Sequence, residues 1–148
     1  MKPSKQPVSV LVVIHTADLQ VLLIERADKP GYWQSVTGSR EGDEAIADTA
    51  RREVEEETGF AAADGQWHDW QQQNVYEIFP HWRHRYAPGV THNTEHVFSL
   101  QLAGALRPTL APGEHLAWQW LPWEQAAERV FSPSNAAAIR ALAQRFLP

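Results

Sequence analysis

The chain contains no cysteine. A disulfide framework, a zinc–thiolate centre and a thiol nucleophile are thereby excluded. It also lacks a long apolar run. Its most hydrophobic stretch, Val8 to Ile14, stops at His15 and is far shorter than the roughly 20 residues a bilayer-spanning helix needs. Nothing ahead of it has the charged, apolar and small-residue zones of a secretory signal. Positive charge is scarce: 13 Lys and Arg stand against 18 Asp and Glu, a formal charge of −5. Such a surface argues against a nucleic-acid polymer or an anionic membrane as partner. A small molecule bearing phosphates remains compatible, because a metal ion and a few local cations handle its charge. The expectation is a cytoplasmic protein and, at 148 residues, one domain spanning 1–148 with a sizeable core. Oligomeric state is left open by the pattern. Tryptophan is abundant, with seven residues; most are expected in packing, and one or two on a flat ring.

The chain alternates between strand and helix signals. Val8–His15 and Gln20–Arg26 read as a β-hairpin, and Trp33–Val36 as a short strand. Longer strands are predicted over 67–79 and 93–103, and a short one over 115–121. His81 to Gly89 reads as a loop. Helices are predicted over 124–130 and 133–146, the second with Ser132 as N-cap and Pro133 in its first turn. The pattern is mixed α/β.

The chemistry is concentrated between residues 38 and 60. Glu53, Glu56 and Glu57 recur at i, i+3 and i+4 and so share one helix face. Adjacent carboxylates repel one another unless a cation sits among them. Oxygen donors without thiols suit Mg²⁺ or Mn²⁺, and Mg²⁺ held by a few carboxylates usually serves a phosphate substrate. Asp43 and Glu44 are positioned to cap the helix start, and Gly59 to end it in the left-handed conformation. Ala45, Ile46, Ala50 and Val54 form its apolar stripe. An isolated Glu55-Glu56-Glu57 run would read as a solvated face. The spacing around it points instead to a site.

Gly38, Glu44, Arg52, Glu53, Val54, Glu56, Glu57, Gly59 and Phe60 fill every fixed position of the pattern G-x5-E-x7-R-E-U-x-E-E-x-G-U, where U is bulky and apolar. The stretch resembles the Nudix box. That resemblance implies an α/β/α sandwich with a mixed sheet and a loop–helix–loop catalytic motif. It implies divalent-metal-dependent hydrolysis of a diphosphate linked to another group. It also implies an Arg52–Glu44 pair, metal ligation by Glu53, Glu56 and Glu57, and a ligand or base on a late loop. Glu114, after Pro112-Gly113, fits that last role, with Glu95 as competitor. Glu53, Glu57 and Glu114 are the catalytic candidates.

Further segments are similar to the bacterial branch of this family that converts dihydroneopterin triphosphate to its monophosphate and pyrophosphate in folate synthesis. They are 6–9, 32–39, 83–91 with Asn93-Thr94-Glu95, 114–117 and 132–135. Residues 61–74 depart from that pattern. A nucleoside triphosphate pyrophosphohydrolase of the house-cleaning kind is the alternative. A binding module without catalysis fits less well, because a binder has no need of a carboxylate cluster. Substrate candidates follow from chemistry and position. Lys5 and Arg26 flank one phosphate, Arg26 as a bidentate fork, and the His81–Arg85 cluster is a second anion candidate. Thr37 abuts the glycine of the box. The backbone of Tyr76, Glu77, Ile78 and Phe79 pairs with a ring edge if it forms an edge strand. Ser132 and Asn135 read the same edge, while Phe79 and Trp33 cover the ring face.

Overall fold

β-Branched residues dominate Val8–His15 (β1), and seven of its eight residues are buried. A strand buried on both faces belongs in the middle of a sheet. β1 lies there in the computed structural model, which describes residues 4–146. The first three residues of the polar lead-in and the last two of the chain lie outside the described residues.

The other strands are β2 (Gln20–Arg26), β3 (Trp33–Gln34), β4 (Val36–Ser39), β5 (Gly65–Glu77), β6 (His92–Leu102) and β7 (His115–Pro122). The path through the sheet is β3-β2-β1-β6-β5, with β4 paired to β1 and β7 to β2. β1 and β6 run parallel, with Ser9 opposite Glu95, and the remaining pairs are antiparallel. The sheet is therefore mixed.

Alternation along β1 feeds two apolar layers. Val10, Val12 and Ile14 pack with Ala50 and Val54 of α1 (Ile46–Thr58). Leu11 and Val13 pack on the opposite face with residues of α2 (Trp123–Arg129) and α3 (Pro133–Phe146), Ala126, Ile139 and Leu142 among them. Helices on both faces make the α/β/α sandwich. Among the described residues no helix is long and apolar enough to cross a membrane.

Four local expectations are corrected. Asp43 and Glu44 do not cap α1: its N-cap is Ala45, without a side-chain cap, because Glu44 is engaged elsewhere. The strand expected over 33–36 is interrupted at Ser35, with β3 pairing to β2 and β4 to β1. Part of the expected loop at 81–89 is a 3₁₀ helix, Pro80–Arg85, begun by its proline. β5 starts at Gly65 and shifts register between Asp69 and Gln73, where Gln71 adopts φ 52°.

Candidate active site

α1 and the strand before it assemble the box. Gly38 on β4 lies directly under the Glu53 side chain. A Cβ at residue 38 would overlap the Glu53 carboxyl carbon and both oxygens. Arg52 holds the motif together. It donates to Glu44 at 2.7 Å, to the Ser39 carbonyl at 3.0 Å, to Glu53 at 2.9 Å and to Glu56 at 3.2 Å. Glu44 also accepts from the Thr49 hydroxyl and the Glu41 amide. Those donors, Arg52 foremost, lower the Glu44 carboxyl to about 2 and fix it as an anion.

Glu57 is 3% exposed, and its Oε1 has no hydrogen-bond partner. Burial, then the neighbouring Glu53 carboxyl, then the charge of Glu114 push its pKa well above the ordinary value. Glu53 shifts upward for the first of these reasons, opposed by Glu57 and Arg52. The two carboxyls lie within reach of one shared hydrogen bond, which requires a proton on one of them. A proton there occupies the electrostatic place a cation would take. His115 Nε2 stands 3.4 Å from Glu57 Oε1. Burial lowers the His115 pKa, so it supplies little positive charge.

Among the described residues no three His, Asp or Glu groups form a ready-built metal shell. Glu56 turns to Arg52, and Glu114 is exposed on its loop. The donor set nevertheless fits a hard divalent cation. It is all oxygen, and it includes a buried carboxylate atom with no partner.

Across the sheet from α1, a cavity of about 300 Å³ opens between β5, β6, the 3₁₀ turn and the start of α3. Lys5, Arg26, Thr37, Tyr76, Glu77, Ile78, Phe79, Ser132 and Asn135 all line it. Their roles differ from the simple expectation. The fork of Arg26 is committed to Asp28, at 2.7 and 2.8 Å, and its ring-facing side lies over Trp82 at 4.5 Å. Arg85 shares Asp28 at 2.6 Å. Three cations, Lys5, Arg26 and Arg85, therefore line the cavity with Asp28 as the carboxylate that pairs the two arginines. Desolvation lowers the Lys5 pKa, and Arg85 and Arg26 add like-charge repulsion. An anion would relieve that repulsion. Arg83 points elsewhere, bound to Glu77 and to the Ile78 carbonyl.

The backbone of 76–79 is less available than an open edge. The Ile78 amide donates to the Thr91 carbonyl at 2.8 Å, and the Phe79 carbonyl accepts from Trp82 at 2.9 Å. Asn135 is removed from the ring-edge candidates. Its Oδ1 accepts from the Ser35 amide at 2.8 Å and its Nδ2 donates to the Ser35 hydroxyl at 2.9 Å. Ser132 caps α3, its Oγ 3.4 Å from the Asn135 amide. Trp33 is partly buried against the core, with Arg129 stacked 4.8 Å from its ring, and does not line the cavity. Phe79 does, and joins Trp82 and Phe131 in an aromatic wall with centroid separations of 5.6–6.1 Å.

Sequence reasoning missed Phe131 and Asn93 as wall residues, and took Trp82 and Arg85 only as members of the His81–Arg85 cluster. The signal was weak because the wall is gathered from the 3₁₀ helix, β6 and the segment before α3. His115 was also missed, though it adjoins Glu114. Glu95 is separated from the carboxylate pair: neither Glu53 nor Glu57 feels its charge among their main influences, whereas Glu57 feels Glu114. This weighs against Glu95 as the late carboxylate of the metal site.

Residues 5–142 match the NUDIX domain, and the chain belongs to the Nudix hydrolase family. Within that family it is 46% identical over 141 residues to the dihydroneopterin triphosphate diphosphatase of Escherichia coli K12, covering 93% of each chain. A protein of the same name from Haemophilus influenzae is 41% identical over 143 residues, with 95% of this chain and 89% of that one covered. The structure of the E. coli dihydroneopterin triphosphate pyrophosphohydrolase superposes with a TM-score of 0.91 at 44% identity, over 97% of this chain and 99% of that one.

Proposed function

We propose that this chain hydrolyses dihydroneopterin triphosphate to the monophosphate and pyrophosphate, using Mg²⁺ or, in its place, Mn²⁺. The observation that carries the reading is a Glu53–Glu57 carboxyl pair, Glu57 buried and Glu53 half-buried, beside a cavity lined by three cations. The names of relatives more than 40% identical over nearly the whole chain support the substrate. Under the same reading the protein is one cytoplasmic domain that serves folate synthesis and takes a small-molecule triphosphate.

A bound divalent cation would neutralise phosphate charge and make water more acidic. Glu53 and Glu57 would be its principal holders, Glu56 a further one after leaving Arg52, and Glu114 the late-loop partner. Each residue has a physical task. Arg52 keeps Glu44 and Glu53 in place through the loop. Glu57, its pKa raised by burial and then by the neighbouring Glu53 carboxyl, is the carboxylate whose charge a bound cation would most relieve. Lys5, Arg26 and Arg85 draw the distal phosphates and hold pyrophosphate as it departs. Phe79, Trp82 and Phe131 cover a flat ring, and Thr37 and Ser132 contribute hydroxyls at the cavity wall.

The test is a comparison of kcat/KM for the pterin triphosphate and for each common nucleoside triphosphate, with Mg²⁺. The pterin is expected to lead. A higher value for any nucleotide would replace the substrate.

A further inference from the structure

Glu95 is a carboxylate that neither the metal motif nor the fold explains. It sits on β6, is 3% exposed, and lines the cavity. Both hydrogen bonds it accepts land on one atom: Asn74 Nδ2 at 3.4 Å and Ser134 Oγ at 2.9 Å from Oε1. Oε2 takes neither. Among the described residues no cation answers its charge; burial raises its pKa, and only those two neutral donors oppose the rise. A buried carboxylate without a cation is costly. A glutamine would serve the two observed contacts equally well, since both need only an acceptor.

A second unanswered acceptor lies two residues away on the same strand face. Asn93 is 1% exposed and also lines the cavity. Its Nδ2 donates to Ser9 Oγ at 2.7 Å and to Tyr76 Oη at 3.1 Å, and its Oδ1 is buried without a partner. Nearby, the Ile78 amide and carbonyl and the Phe79 carbonyl already have their own partners. This stretch of wall therefore offers acceptors and calls for a ligand that brings donors.

We propose that Glu95 is the residue that selects the ring, its free oxygen accepting from the adjacent amino and ring N–H groups of a 2-amino-4-oxo-pyrimidine edge. Pterins and guanine share that edge; adenine, cytosine and uracil do not present it. The inference deepens the triphosphate-hydrolase reading and rests on it. Glu95 acts on substrate choice and takes no part in proton transfer at phosphorus.

The experiment uses the whole chain with Mg²⁺ and four substrates: dihydroneopterin triphosphate, GTP, ITP and ATP. ITP keeps the ring N–H of GTP and lacks its amino group. The wild type should prefer GTP over ITP by roughly tenfold in kcat/KM, and Glu95→Gln should bring that ratio to about one. The same variant should lower the pterin-to-ATP ratio about tenfold to a hundredfold. Glu95→Gln keeps the acceptor used by Asn74 and Ser134, so its melting temperature checks folding directly. Ratios unchanged in a folded variant, or equal losses on all four substrates, would overturn the assignment. A wild type indifferent to the amino group would overturn it without any variant. A wild type that turns over GTP but not the pterin would sink the pterin reading alone, leaving the GTP-to-ITP ratio to decide Glu95.

Discussion

Glu53 rests its carboxyl group on the bare Cα of Gly38, in space that any larger residue would fill. The contact crosses from α1 to β4 and fixes the height of the carboxylate relative to the sheet. Gly38→Ala should push Glu53 aside. Turnover is expected to fall about a hundredfold, since misplacement of a reacting group by about 1 Å carries that penalty. Stability should fall by about 1–3 kcal/mol from overpacking. Steady-state rates and a denaturant melt measure both; wild-type turnover would detach Glu53 from the chemistry.

The cations of the cavity should act on binding. Arg26 and Arg85 share Asp28 and so offer charge more than a free fork. Arg26→Ala and Arg85→Ala should each raise KM by roughly tenfold to a hundredfold, the value of one charge-assisted contact. Loss of kcat with unchanged KM in both variants would place the triphosphate elsewhere.

Asn135 should matter to stability. Replacing it by alanine strands the Ser35 amide and hydroxyl in a buried position. A loss of about 2–3 kcal/mol in denaturant unfolding is expected. A change confined to KM, with the melt unaltered, would return Asn135 to the binding wall.

Glu57 gives a pH signature. Its folded-state pKa lies above the ordinary value of 4.5, so the folded protein binds more protons than the unfolded chain between the two. The stability this group contributes is present below the ordinary value and is lost as pH rises through the raised one. In metal-free protein, Glu57→Gln should match the wild type near pH 4.5 and be more stable than it at pH 8. Melts across that range, in chelator, measure the difference; a difference that does not vary with pH would mean an ordinary pKa.

The legible part of the site is the part made by one segment. Glu53, Glu56 and Glu57 reach a common face through helical periodicity alone, and Arg52 meets Glu44 across one loop. The ring-binding wall has no such local signature. Glu95 becomes meaningful only when parallel pairing sets it beside Ser9, and Asn135 only when α3 returns to Ser35 across a separation of 100 residues. The capping role expected of Glu44 failed because Arg52 outcompeted the helix terminus for it. The strand read through Ser35 failed because β3 and β4 pair with different neighbours.

The most direct test of the account is the turnover of Glu57→Gln. The substitution keeps shape and removes the buried charge beside Glu53. Measured on dihydroneopterin triphosphate at saturating Mg²⁺, with folding checked by melting temperature, kcat should fall on the order of a thousandfold. A folded variant whose kcat stays within about tenfold of wild type would contradict the account, because the chemistry would then lie outside the carboxylate pair.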